Sequence, residues 1–433
     1  MKNIYKYVFL LTMAVFISCD EELNINEDPN SPPEINAGLA LASAEASLVT
    51  VVGGEFFNLG GFYAQYHTQA PTASQYETID QYNLNTSYAD RVWTEIYAGC
   101  LNDLEYVLEE SAEDGDTGTA LIATCLKAYT FQLMVDLFGD VPYTEALQGL
   151  TNITPAVTPG EEIYADLIVK IDAALAAYEA NPIDPTVGSQ DQIYQGNAEQ
   201  WVRFANTLKL RMYIRMAYTS MANPDAVNAL LAEDNFLTQD AAFRNFNETV
   251  NKTNPFYGVE LSSEGNGLGD INNVASSSLF DFYNENEDPR LIAAYRQNEA
   301  RTYNAIPQGS GDEFNDTAVN YSRPNVRETT PVYLMTVSES NFLQAEALIR
   351  YAGGAGAKEK YDDGVRASFA TYQADFLKDV FENEEDEEAE EKPVFTAEEA
   401  ETFAEALIGA GGAYEYVPGG GVEAEVRQVI VQK

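Results

Sequence analysis

The sequence predicts an all-α protein, mainly helical, in which helix pairs carry long polar loops, the candidate walls of a site. Three observations predict it. Apolar residues recur at helical spacing in several stretches, as in Tyr164, Leu167, Ile168, Ile171, Leu175 and Tyr178. Two amphipathic helices follow one another in NFLQAEALIRYAGGAGAKEKYDDGVRASF, separated by Gly353, Gly354 and Gly356. Between such segments lie long polar stretches, around residues 60–90, 254–276 and 303–311.

The chain begins MKNIYKYVFLLTMAVFISCDEELNINEDPN. Lys2 and Lys6 form a positive n-region, and Val8 to Ile17 is an apolar h-region too short to span a bilayer, so residues 1–18 read as a signal peptide. Phe16-Ile17-Ser18-Cys19 resembles a bacterial lipobox, which makes Cys19 the expected first mature residue and the site of lipid attachment. Asp20, Glu21 and Glu22 resemble the tag that sends Bacteroidetes lipoproteins to the cell surface. Residues 19–36, rich in Asn, Asp and Pro, then read as a lipidated flexible tether, and 37–433 as the helical domain.

Within that domain Ala40 to Val52 reads as a helix stopped by Gly53-Gly54. Residues 60–90 break the pattern: tyrosines stand among Gln, Asn, Thr and Ser, and Pro71 forbids a continuous helix. Helices resume over Trp93–Ser111 and Thr119–Phe138, the second apolar on nearly every side and therefore internal. Thr158-Pro159-Gly160-Glu161 reads as a capping box that opens a helix ended by Asn181-Pro182. Residues 199–221 put Trp201, Phe204, Leu208, Met212 and Met216 on one face, with Arg203, Lys209, Arg211 and Arg215 elsewhere. Those four cations are expected to pair with the protein's own carboxylates rather than form an anion site. The helix pair after Ser340 has the layout of a tetratricopeptide-type pair, with Tyr361 and Phe369 on its second helix.

Composition excludes more than it selects. The 433 residues carry a formal charge of −45, which becomes −47 once Lys2 and Lys6 are removed, and such a field repels nucleic acid and anionic lipid. No stretch after the signal reaches the 18 consecutive apolar residues of a spanning helix, so the lipid is the expected membrane attachment. Cys100 and Cys125 suit one disulfide or two buried thiols equally. His67 is the only histidine, which removes histidine-pair metal sites and leaves any catalytic triad resting on one loop residue, expected at the surface or hydrogen-bonded. No metal and no cofactor are expected: the acid run ENEEDEEAEE lacks the turn glycine of a calcium loop, and Asp114-Gly115-Asp116 is explained as well by turn chemistry.

DLFGDVPYTEAL (136–147), WVRFANTLKLRMYIRMA (201–217), EDPRL (287–291) and SNFLQAEALIRYAG (340–353), with the arm NEDPNSPPE, together resemble the SusD/RagB family of nutrient-binding outer-membrane lipoproteins. The resemblance implies a tetratricopeptide-like body, no enzymatic chemistry, a glycan or peptide ligand, and a SusC-like TonB-dependent transporter over which the lipoprotein acts as a lid. It also implies a further C-terminal segment with an aromatic and arginine-rich motif, so the 37–433 domain reads either as C-terminally truncated at Lys433 or as a member that has shed a terminal element.

Sugars lay their C–H faces on aromatic rings while amides and carboxylates take the hydroxyls. Tyr66, Gln69, Gln75, Tyr76 and Tyr82, with Tyr257 and Asn266 from the next loop, are therefore the expected ligand contacts. An oligosaccharide is favoured over a peptide, which would use the same amides plus acids such as Glu264 and Asp270. A two-carboxylate glycosidase and a helical-repeat scaffold are the rival readings, and no segment sets an acid in a recognisable catalytic context.

Overall fold

A computed structural model describes residues 35–85, 87–314, 316–380 and 390–433. The expected signal peptide, the expected lipid site Cys19, nearly all of the expected tether and most of the acid run lie outside the described residues. Ten helices of ten residues or more are described: α1 Ala37–Val51, α2 Asn102–Asp114, α3 Thr117–Phe138, α4 Gly160–Ala180, α5 Ala198–Arg215, α6 Pro224–Glu233, α7 Val337–Tyr351, α8 Ala357–Asp375, α9 Ala397–Ile408 and α10 Val422–Gln432. Shorter helical turns and, among the described residues, five short two-stranded antiparallel ribbons accompany them.

Successive helices pack on one another, α1 on α2, α2 on α3, α3 on α4 and α5, then α7 on α8 and α8 on α9. The larger core is centred on α3, whose Leu121, Ile122, Cys125, Leu126, Phe131 and Met134 are all buried, as its uninterrupted apolar surface requires. Helix α7 is shared by two cores. Leu343 and Ala347 enter the larger one, while Phe342, Ala345 and Ile349 enter a second with Tyr361, Val365 and Phe369 of α8. Truncating such a buried leucine to alanine costs about 2–5 kcal/mol, so α7 couples the stability of the two halves.

Several helix ends follow the local chemistry, and two expected signals do not act as read. Asp116 accepts from Thr119 N to cap α3, Asn197 caps α5, Asn181 follows the end of α4, and Thr396 with Glu399 forms a full capping box at α9. At 158–161 there is none. Thr158 is drawn into a two-residue ribbon with Val141, Pro159 becomes the residue before the helix, and Gly160 N donates to Asp140 Oδ1 instead.

The glycine pair does not stop α1. The helix continues as a wider π-turn over Val52–Phe56 into a further helix, Phe57–Tyr63. Gly53 is there for close approach, because a Cβ would lie 2.3 Å from Val332 Cγ2 on the neighbouring strand.

All four cations of the 199–221 segment are paired: Arg203 with Glu199, Lys209 with Asp172, Arg211 with Glu339 at 3.6 Å, and Arg215 with Asp136 at 3.2 Å. Trp201 is fully buried and its indole N–H donates to Asp191 at 2.7 Å, whereas Trp93 is half-buried and stacks on Tyr97. Cys100 and Cys125 are both buried free thiols.

Candidate functional site

Three loop segments distant in sequence are woven together. His67–Gln69 pairs antiparallel with Asn273–Ala275, setting Gln69 opposite Asn273. Thr68 donates to Asp80, Gln308 Nε2 donates to the same carboxylate at 2.6 Å, and Gly309 N donates to Thr68 Oγ1. The segments 60–90, 254–276 and 303–311 therefore meet, as their composition suggested. Part of the second is not loop, since Tyr257–Leu261 forms a π-turn and Asn273–Ala275 a strand.

His67 lies buried at this junction and is not a surface residue. Its ring is buried between Phe57, Phe62 and Phe256, with Phe62 edge-on at 5.1 Å, and its Nε2 donates to the Asn58 carbonyl at 3.3 Å. Burial lowers its pKa from 6.5 to about 4, so the ring is neutral at pH 7. Gly61 makes room for it: a Cβ there would lie 1.9 Å from His67 Cε1.

The expected contact residues separate into groups. Tyr66 and Tyr82 are 47% and 48% exposed, and Tyr82 meets Tyr63, itself 45% exposed, edge-to-face at 5.1 Å. Gln65 fixes this cluster, donating to the Tyr82 hydroxyl at 2.9 Å and accepting from Ser278 at 2.7 Å. Gln69 is buried and spent internally, accepting from Tyr76 N at 2.6 Å and donating to the Asn272 carbonyl at 3.1 Å. That leaves it as a positioning residue, while Gln75 is exposed.

Tyr76, Tyr257 and Asn266 instead line one cleft of about 1040 Å³ between the end of α1 with its π-turn and the segment 243–266. Its walls are rich in amides (Asn58, Asn245, Asn247, Asn251, Asn254) and carry six carboxylates against two cations, Arg91 and Lys252. Tyr76 donates its hydroxyl to Glu260 Oε1, and Asn273 donates to Glu260 Oε2 at 3.2 Å. Burial, with the charge of Glu55 adding to it, pushes Glu260 from 4.5 up to about 7, against the pull of Tyr76 and Asn273. The Tyr88 phenol is raised above the ordinary phenol range by burial first, with the charges of Glu55 and Glu260 adding to it.

Glu55, Asn58 and Glu260 were missed in the sequence. The available signal was the interruption of VVGGEFFNLGG, an otherwise apolar run, by one acid and one amide. A second cleft of about 800 Å³ near Glu105, Lys127, Tyr143, Asp166 and Lys170 is occupied by its own ion pairs, Lys127 with Glu105 and Lys170 with Asp166. Among the described residues no three acids, cysteines or histidines converge as metal ligands. Gly115, with φ of 68°, and Asp116 are a helix end and a helix cap.

The fold recurs in solved structures. The chain superposes on a SusD/RagB family protein from Bacteroides thetaiotaomicron with a TM-score of 0.71 at 22% identity, over 92% of this chain and 83% of that one. A SusD homologue from Bacteroides uniformis gives 0.65 at 25% identity, over 77% and 71%. A chitin-binding protein gives 0.67 at 20%, over 92% and 84%. No curated protein matches in sequence. A SusD-like family model, described as starch-binding and associating with the outer membrane, matches residues 29–395, and the chain belongs to that family.

Proposed function

We propose that this protein is a cell-surface lipoprotein that captures an oligosaccharide in the cleft beside Tyr76 and Tyr257 and passes it on unaltered. The carrying observation is the cleft itself: aromatic rings and amides converge there from the end of α1, from Tyr76 of the first loop segment and from the segment 243–266. Tyr257 supplies a ring face, Asn266 and the neighbouring amides take hydroxyls, and Gln69 holds the backbone that presents Tyr76. Tyr66 and Tyr82, with Gln75, provide a second contact surface for a chain longer than the cleft.

The family's association with the outer membrane supports the remainder. Residues 1–18 are removed, lipid on Cys19 anchors the protein, residues 19–36 act as the tether, and 37–433 form the binding domain that closes over a SusC-like TonB-dependent transporter. Labelled fatty acid should enter the wild-type protein and not C19A, and the protein should co-purify with a TonB-dependent barrel. Labelling of C19A, or the absence of any barrel, contradicts the anchor or the partner respectively.

The surplus of carboxylates in the cleft favours a basic peptide as the second reading. Incubation with panels of oligosaccharides and peptides, followed by mass analysis of the ligands, distinguishes the alternatives. Saturable binding of intact oligosaccharide is expected, peptide-only binding supports the second reading, and released product contradicts both.

A further inference from the structure

Glu260 and Glu55 face the same cleft with no cation paired to either among the described residues, and the charge of Glu55 bears on Glu260. Of the two cations in the walls, Arg91 is held by Glu95 at 4.0 Å. A third group points the same way. Asn58, only 3% exposed, lines the cleft, and its Oδ1 accepts no hydrogen bond. A buried acceptor left empty carries an unrecovered desolvation cost, so a site that does so gains when a ligand brings a donor.

An ionised carboxylate and an unfilled amide oxygen have one preference in common: they accept and do not donate, and a cation brought beside Glu260 favours its ionised form. A hydroxyl offers a single hydrogen, and an N-acetyl group offers one N–H with a carbonyl that acidic walls disfavour. An ammonium offers three hydrogens and a positive charge.

Resting on the glycan reading above, we propose that this cleft selects oligosaccharides of 2-amino-2-deoxy sugars with free, protonated amino groups over their N-acetylated and neutral counterparts. Glu55, Glu260 and Asn58 Oδ1 receive the ammonium hydrogens. Tyr257 and the amide-rich wall hold the ring and its hydroxyls. The net charge of −45 attracts such a ligand from a distance, and the cleft residues confer selectivity at contact.

The test is calorimetric titration of the mature chain with β-1,4-linked glucosamine hexamer, its fully N-acetylated form and cellohexaose. The free amine is expected to bind about tenfold more tightly than either. E55Q and E260Q should each reduce that ratio severalfold. Because Gln keeps the acceptor oxygen used by Tyr76, E260Q retains that loop contact, and thermal unfolding of both variants verifies the fold. E161Q/E179Q removes the same kind of charge from exposed positions on α4 and should leave the ratio unchanged. Equal affinities for amine and N-acetyl hexamers overturn this inference and leave the glycan reading standing. A preference that survives E55Q and E260Q but falls in E161Q/E179Q assigns it to diffuse charge and also overturns the inference. If no hexamer binds and peptides do, the underlying glycan reading fails with it.

Discussion

The Tyr76 hydroxyl donates to Glu260 across 184 residues of chain, joining the first loop segment to the second inside the cleft. The two side chains also share a consequence of burial. Tyr76 is driven far above the ordinary phenol range, mainly by desolvation with the Glu260 charge adding to it, so it remains a donor at any physiological pH.

Replacing Tyr76 with Phe removes the donor and keeps the ring against Phe62. Glu260 then retains only Asn273, and stability should fall by about 1–3 kcal/mol. Urea unfolding of Y76F measures this, and an unchanged midpoint contradicts the bond's structural role.

Stability should depend on pH through two opposed groups. Glu260, raised from 4.5 to about 7, contributes stability that is complete below 4.5 and lost as pH rises through about 7. His67, lowered from 6.5 to about 4, contributes stability that is complete above 6.5 and lost as pH falls through about 4. E260Q removes the first and leaves the second. Its stability should therefore rise more steeply with pH than that of the wild type between 4.5 and 7, and parallel curves contradict the burial of Glu260.

Gly61 and Gly60 are neighbours on one short helix with opposite expectations. G61A drives a methyl into the enclosed His67 ring and should cost about 1–3 kcal/mol, whereas nothing lies within 4 Å of the position a Cβ takes at Gly60. G60A should be neutral or stabilising by up to about 1 kcal/mol. Thermal unfolding of the pair provides the comparison, and equal losses contradict the packing of His67.

Cys100 and Cys125 should resist thiol reagents in the native protein. Burial pushes the Cys100 thiol up to about 12 and the Cys125 thiol in the same direction, so neither presents thiolate at neutral pH. Both should label after denaturation without reductant. Rapid native labelling, or a mass lower by two hydrogens before reduction, contradicts two buried free thiols.

The helices were legible because burial imposes a 3.6-residue period that α4, α5 and α8 display openly, and because α3 is apolar all round. Local punctuation was less reliable where tertiary contacts intervened. Thr158 was taken by a ribbon instead of a cap, and Gly53 serves Val332 instead of ending α1. Composition marked the loops that meet, but it does not record which way each residue faces. Gln69, Tyr76 and Tyr82 share one polar loop segment, yet Gln69 is turned inward opposite Asn273, some 200 residues away, Tyr76 bonds Glu260 at the cleft and Tyr82 faces outward. The burial of His67 was illegible for the same reason, since three of its four aromatic and backbone partners come from an earlier helix and the fourth, Phe256, from the distant loop.

Hydrogen–deuterium exchange with and without a saturating bound oligosaccharide tests the central claim most directly, because it locates the ligand without altering the protein. Slowed exchange is expected in segments 50–58 and 245–266, the two walls of the cleft, with the ligand recovered intact. Protection absent from both walls, and found instead on α7 to α10 or nowhere, would contradict the cleft as the binding site.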